Sequence, residues 1–166
     1  LPSTVKSIEK NAFKNCSLLN EITVPSSLTK VENEAFDGCV SIHLLGEIER
    51  ITANMFKGCK TLKNIEIPKT VKSIDNNAFE GCSLLEQITM PSSVVSIGNN
   101  AFKDCPSLKK ITIHSTLISI GNNVFEGCES IEILGEIESI QTNFFKGNKT
   151  LKSIVLPNSV KIIKSD

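Results

Sequence analysis

Apolar residues along this chain fall into columns that recur from one end to the other, so no single amphipathic segment dominates. Val5, Leu28, Ile48, Val71, Val94, Leu117, Ile137 and Val160 form one column, and three residues further on stand Ile8, Val31, Ile51, Ile74, Ile97, Ile120, Ile140 and Ile163. Phe13, Phe36, Phe56, Phe79, Phe102, Phe125 and Phe145 follow at intervals of 23, 20, 23, 23, 23 and 20. A last apolar column is Leu19, Ile42, Leu62, Leu85, Leu108, Ile131 and Leu151. Within each unit a stretch such as Ile65-Glu66-Ile67 or Ile111-Thr112-Ile113 alternates apolar with polar and predicts a strand with one buried face. A proline directly after it ends the strand. The β-branched step from Val71 to Ile74 predicts a second, shorter parallel strand. From Asp75 to Cys82, turn formers followed by Ala-Phe predict a tight or single-turn helical bend.

No such unit could bury its apolar face alone, and stacking supplies the core. The pattern therefore predicts one mainly-β solenoid over residues 1–166, of about seven repeats of 20 or 23 residues, with parallel strands, few true helices and no linker. The chain opens at Leu1, already late in a repeat, and breaks off at Asp166 before the next Phe, which reads as an excerpt of a longer array.

Two turns are short. DGCVSIHLLGEIERITANMF (37–56) and EGCESIEILGEIESIQTNFF (126–145) carry Leu-Gly-Glu-Ile where a Pro-x-Ser/Thr segment would stand, so three residues are read as missing there. The short turns lie 89 residues apart, as do Phe13 and Phe102, which implies a duplicated four-turn super-repeat. A tightened corner predicts a local change of curvature at residues 44 to 48 and 133 to 137. Met55 and Phe144 replace the small residues Ala12, Ala35, Ala78 and Ala101 of the long turns, as expected of side chains filling space left by lost backbone.

The run Cys59-x-x-Leu62-x-x-Ile65-x-Ile67-Pro68-x-Thr70-Val71-x-x-Ile74, followed by Asn77-Ala78-Phe79-x-x-Cys82, resembles the BspA-like class of leucine-rich repeats, and the match extends over essentially the whole chain. The resemblance implies a curved solenoid with a parallel sheet on its concave side, in proteins that are often large microbial surface proteins, adhesins among them. It brings no catalytic residues. Where commoner leucine-rich repeats place Asn or Cys after the strand, this chain has a hydroxyl column of Thr4, Ser27, Thr70, Ser93, Thr116 and Ser159, suited to satisfying backbone groups at the corner.

Charge and cysteine content narrow the function. Eighteen basic and eighteen acidic residues cancel and are interspersed, against the one-sided basic field of a nucleic-acid binder. No apolar run reaches the roughly 20 residues of a membrane span, so no membrane insertion is expected. Cys16, Cys39, Cys59, Cys82, Cys105 and Cys128 lack the paired short spacings of a zinc site, so no metal and no cofactor is expected. Asn148 occupies the seventh place in that column and cannot form a disulfide, which favours a ladder of free thiols. The Asn11, Asn54, Asn77, Asn100, Asn123 and Asn143 column, interrupted by Glu34, suits a bend that caps backbone donors or adopts a left-handed conformation. Of the two glycosylation sequons only Asn15 lies outside a core column. His43 and His114 occupy different phases of the repeat, and Glu47 with Glu49, or Glu136 with Glu138, are copies of a surface segment, so no catalytic residues are assigned and the chain reads as a non-enzyme.

Binding then falls to strand residues that face away from the core. The candidate concave face is Glu21, Thr23, Asn64, Glu66, Gln87, Thr89, Lys110, Thr112, Ser153 and Val155, a largely polar set without aromatic anchors. The expectation is a protein-protein interaction module in a cell-surface or adhesin-like protein. The alternatives are a structural spacer array and an intracellular, cytoplasmic protein-binding regulator, which free thiols would suit. Open strand edges at the terminal rungs add end-to-end self-association to the expected contacts.

Overall fold

The alternating Ile-x-Ile runs and the Val-x-x-Ile steps form two series of short strands in the computed structural model, which describes residues 1–19, 21–39, 41–45, 48–140 and 142–164, without the side chains of Ser41, His43 and Leu45. In chain order the strands are β1 (Ser7–Ile8), β2 (Glu21–Thr23), β3 (Lys30–Val31), β4 (Ser41–Leu45), β5 (Arg50–Ile51), β6 (Asn64–Glu66), β7 (Ser73–Ile74) and β8 (Gln87–Thr89). They continue as β9 (Ser96–Ile97), β10 (Lys110–Thr112), β11 (Ser119–Ile120), β12 (Ser130–Leu134), β13 (Ser139–Ile140), β14 (Ser153–Val155) and β15 (Ile162–Ile163). The even-numbered strands make one continuous seven-stranded parallel sheet in the order β14-β12-β10-β8-β6-β4-β2. The odd-numbered strands pair in parallel across each turn from the first series.

Between the sheets lies the core. Ile88 and Ile111 point inward from the long-strand sheet and Ile74 and Ile97 from the short-strand one, all buried. The Phe column stacks through the middle, with ring centroids 5.2 Å apart for Phe56–Phe79 and Phe79–Phe102 and planes within 12°. The end beats differ: Phe13 and Phe145 pack against the core only half-buried, so the Phe column is less uniformly interior than its spacing predicts. Beside Phe145, Phe144 is fully buried and stacks on Phe125 at 5.8 Å.

The bend from Asp75 to Cys82 is a succession of three-residue turns rather than a helix, with Ala78 N–H donating to Asp75 O, Glu80 N–H to Asn77 O and Cys82 N–H to Phe79 O. No helix occurs among the described residues. Successive bends are also bonded to one another, as where Phe79 N–H donates to Ala101 O at 2.8 Å. Asn11, Asn54, Asn77, Asn100 and Asn123 of the Asn column take the left-handed backbone expected of it, with φ of 62° at Asn54, 58° at Asn77 and 56° at Asn100. Glu34, the interruption, adopts φ 60° all the same. Side-chain amides link the column from rung to rung: Asn77 Nδ2 donates to Asn54 Oδ1 at 3.2 Å and Asn100 Nδ2 to Asn77 Oδ1 at 3.1 Å.

Hydroxyl and thiol columns both bond to the preceding rung. Ser27, Thr70 and Ser93 donate to the carbonyls of Val5, Ile48 and Val71 at 2.6 to 2.8 Å. Cys82 and Cys105 direct their thiols at the carbonyls of Phe56 and Phe79, each at 3.1 Å. Asn148 uses its Nδ2 on the carbonyl of Phe125 in the same way, which explains why an amide can stand in this column. All six cysteines are free, five of them buried and Cys16 exposed. Burial pushes the Cys39 thiol up to about 11 and that of Cys128 to about 12, and holds those of Cys59, Cys82 and Cys105 well above the free value.

The short turns depart from the sequence reading. Ile42 and Ile131, placed above in the column of Leu62 and Leu85, lie within strands, opposite Ile65 and Ile154. On the other side of the same strands, Leu44 faces Ile22 and Ile133 faces Ile111. Crossing a short turn therefore moves the sheet's pairing by two residues. The missing length is thus felt ahead of the strand as well as in the corner after it. On the other side of the turn the pairing breaks. The short-strand sheet divides into β1-β3, β5-β7-β9-β11 and β13-β15, interrupted at each short turn while the long-strand sheet runs through. Of the corner residues, Gly46 and Glu47 lie outside the described set, but Gly135 has φ 108° and its Cα approaches the Ile113 carbonyl so closely that a Cβ there would overlap it. Only glycine fits that contact.

Candidate functional site

The outward side chains of the long-strand sheet are the surface the sequence assigned to binding. Along β6, β8 and β10 the burial alternates, with the central Ile65, Ile88 and Ile111 inward and their neighbours outward. Asn64, Glu66, Gln87, Thr89 and Lys110 are exposed and Thr112 is half-buried, so this central block is displayed as predicted. Gln87 lies beside Lys110 and Thr89 beside Thr112 in register. Glu66 lies beside Thr89.

At the flanks the predicted rows do not run straight. Glu21 is opposite His43, which is opposite Glu66, so Glu21 is in line with Glu66 and not with its repeat counterpart Asn64. Thr23 falls one row further out, opposite Leu45. At the other end Lys110 is in line with Glu132 and Val155, while Ser153 sits beside Ser130, their hydroxyls 2.6 Å apart. The ten candidates thus belong to one sheet face but to rows that step sideways by two residues at each short turn. Three outward residues of β12 escaped the sequence reading, Ser130 among them. Glu132 forms an ion pair with Lys110 at 3.5 Å, and Leu134 stands partly exposed beside Thr112. Their signal was present: Ile131-Glu132-Ile133 repeats the Ile-x-Ile pattern of Ile65-Glu66-Ile67. Strand β14 is exposed at all three positions, including Val155.

The opposite side of the molecule carries charge of a different kind. The residues directly after the Phe beats are Lys14, Asp37, Lys57, Glu80, Lys103, Glu126 and Lys146, alternating in sign without a break. Lys14–Asp37, Lys57–Glu80 and Lys103–Glu126 are ion pairs at 3.3, 3.0 and 3.1 Å. Glu49 and Glu138, from the acidic pairs considered for chemistry, are exposed and reach Lys72 and Lys161, each at 2.9 Å. Their companion Glu47 lies outside the described residues. Among the described residues no group of three His, Cys, Asp or Glu side chains converges as a metal site would require, and no helix is long and apolar enough to cross a membrane.

Parallel strands repeated every turn, a stacked Phe column and hydrogen-bonded side-chain ladders define a leucine-rich-repeat β-solenoid. More specifically, a family model described as a BspA type leucine rich repeat region matches in 6 copies over residues 1–45 and 49–166, and the chain belongs to that family. Among solved structures, a leucine-rich repeat protein of T. pallidum is 25% identical with a TM-score of 0.54, the match covering 98% of this chain and 71% of that one. A leucine-rich repeat protein of Eubacterium ventriosum has the same TM-score at 19% identity, over 97% of this chain and 55% of the other. No curated protein matches the chain. The family is in general a scaffold rather than an enzyme, and its repeats in general mediate contacts between proteins.

Proposed function

We propose that this chain is a non-enzymatic protein-interaction module, part of a cell-surface or adhesin-like protein, that receives its partner on the outward face of the long-strand sheet. The observation that carries this reading is the continuity of that sheet: seven strands remain paired across both short turns while the other sheet breaks twice. A surface kept paired across the whole array, though its rows step by two residues at each short turn, is the one best suited to extended recognition, and its outward residues have no part in the core. The polar set without Trp or Tyr suits many weak contacts in place of a few dominant anchors. Family membership supports a surface location, by resemblance to microbial surface proteins.

The test is capture of partners by the intact chain, compared with a triple variant Gln87→Glu, Thr89→Glu, Lys110→Glu. Loss of a captured protein with an unchanged melting temperature supports the reading; equal capture by both proteins moves the contact elsewhere, and no capture by either favours a spacer. The six free thiols favour a second reading, a protein-binding regulator within a reducing compartment. Localisation of the intact parent protein separates the two.

A further inference from the structure

The residue just before each short strand is displayed on the outside of the solenoid, and over the last six of these strands the row reads Glu49, Lys72, Val95, Ile118, Glu138 and Lys161, all exposed. Successive rungs hold the centre of the row together: Val95 N–H donates to Lys72 O and Ile118 N–H to Val95 O, each at 2.9 Å. An ion pair closes it at either end, Glu49 with Lys72 and Glu138 with Lys161, each at 2.9 Å and with all four side chains more than half exposed.

The repeat does not ask for the two apolar residues between these pairs. Their counterparts 89 residues earlier are Lys6 and Thr29, which are exposed and polar. Ile118 is nevertheless 76% exposed and Val95 36%. Single surface aliphatics are ordinary, but these two adjoin on neighbouring rungs, and the small Ser96 and Ser119 beside them let a second surface come close. The order of charge selects that surface. In one direction the row runs negative, positive, apolar, apolar, negative, positive, and in the other every sign is reversed. Two copies laid antiparallel therefore set each charge against its opposite and aliphatic against aliphatic, whereas two laid parallel oppose like charges at every rung. The spacing agrees. The ring centroids of the corresponding rungs are 5.2 Å apart on one side of the centre and 5.8 Å on the other, so the row meets its reverse without slipping a rung.

We propose that this row is a self-association surface, through which two copies of the chain form an antiparallel, two-fold symmetric dimer. Val95 of each copy lies over Ile118 of the other, Lys72 faces Glu138, and Glu49 faces Lys161. Such a contact is closed, since each copy spends the same surface it receives. The aliphatic centre supplies the attraction, and the charges, each worth little on a wet surface, fix direction and register. A contact of this size is weak and reversible. It goes beyond the reading of the long-strand face as the binding surface and does not depend on it. Because the row borders the short-strand sheet, the dimer leaves the long-strand face of both copies uncovered.

Sedimentation equilibrium of the full chain tests this, in low salt and with reductant to keep the exposed Cys16 from cross-linking. Over an about hundredfold range of concentration the mass should rise toward twice that of the monomer and stop there. Ile118→Ser and Val95→Ser, both at exposed positions, should each weaken the dimer at least about tenfold, because symmetry removes the contact twice, while the melting temperature of dilute protein stays the same. Lys72→Glu and Glu138→Lys should each weaken it at least about fivefold by opposing like charges. Mixed in equal amounts, the Lys72→Glu and Glu138→Lys proteins should pair with each other more tightly than either pairs with itself, since every charge then meets its opposite again. A mass that does not rise with concentration, a dimer indifferent to both serine variants, or a mixture no tighter than its components each overturns the proposal. Growth past the dimer that ignores Ile118→Ser is end-to-end stacking and overturns it as well.

Discussion

The turns between Phe56 and Phe125 and the two short turns build the same core by different means. In the long turns each rung copies the last. Ala78 and Ala101 leave room for Phe79 and Phe102 to stack nearly parallel, hydroxyls and thiols bond to the rung before, and both sheets continue. In the short turns the long-strand sheet survives by shifting two residues, the short-strand sheet separates, and Met55 or Phe144 enters the interior. A solenoid tolerates lost length provided one ladder stays continuous, and on the other side the short strands part. Regular rungs supply stability; irregular ones supply surface with distinct chemistry.

The harshest way to break this contrast is alkali. A buried thiol whose folded pKa lies above its unfolded value of about 9 contributes stability that is whole below that pH and is lost as the pH rises toward the folded value, at about 1.4 kcal/mol per pH unit for each group. Burial raises Cys82 and Cys105, between long turns, well above the unfolded value, and Cys39, at the start of the first short turn, to about 11. Denaturation midpoints should hold level to about pH 9 and fall steeply beyond; a level profile to pH 10.5 would mean that the thiols are not sealed in the core.

Packing gives the next largest effect. Phe102→Ala, in the middle of the long turns, should cost about 3–5 kcal/mol, whereas Met55→Ala and Phe144→Ala should fall toward the lower part of about 2–5 kcal/mol, because each of these side chains also lines an open surface cleft, which lets the site collapse. Urea midpoints at constant slope measure all three, and equal costs would erase the distinction between regular and irregular rungs.

Smaller effects test the ladders. Glu34 holds a left-handed conformation that its column otherwise gives to Asn, so Glu34→Asn should raise stability by about 0.5–1 kcal/mol, seen as a higher melting temperature. Reversing one charge of the alternating column, Lys57→Glu or Glu80→Lys, should cost about 0.2–1 kcal/mol, with the double exchange restoring most of it and added salt flattening the difference.

Much of this architecture was legible because a stacked repeat places the same demand on the same position in every turn. Phe every 20 or 23 residues, the hydroxyl, Cys and Asn columns, and the alternation that marks the long strands each state their environment repeatedly, and Asn148 in place of a cysteine disclosed what that column does. The outward position of the central candidates from Asn64 to Thr112 followed from the same alternation. Ser130, Glu132 and Leu134 did not, because the column count aligned Ile131 with Leu62 and Leu85, which precede the strands of their own turns.

Sequence alone thus determined the period, the buried columns and the side of each strand that meets the core, since every one of these repeats and so is written several times over. Tertiary structure alone decided which residue lies beside which across a short turn and where a sheet breaks. The reason is the strand's own periodicity: a shift of two residues returns every apolar side chain to the same face, so the hydrophobic pattern is blind to it. Backbone hydrogen bonds, which are indifferent to side-chain identity, and the close approach of Gly135 to Ile113 settle the register instead.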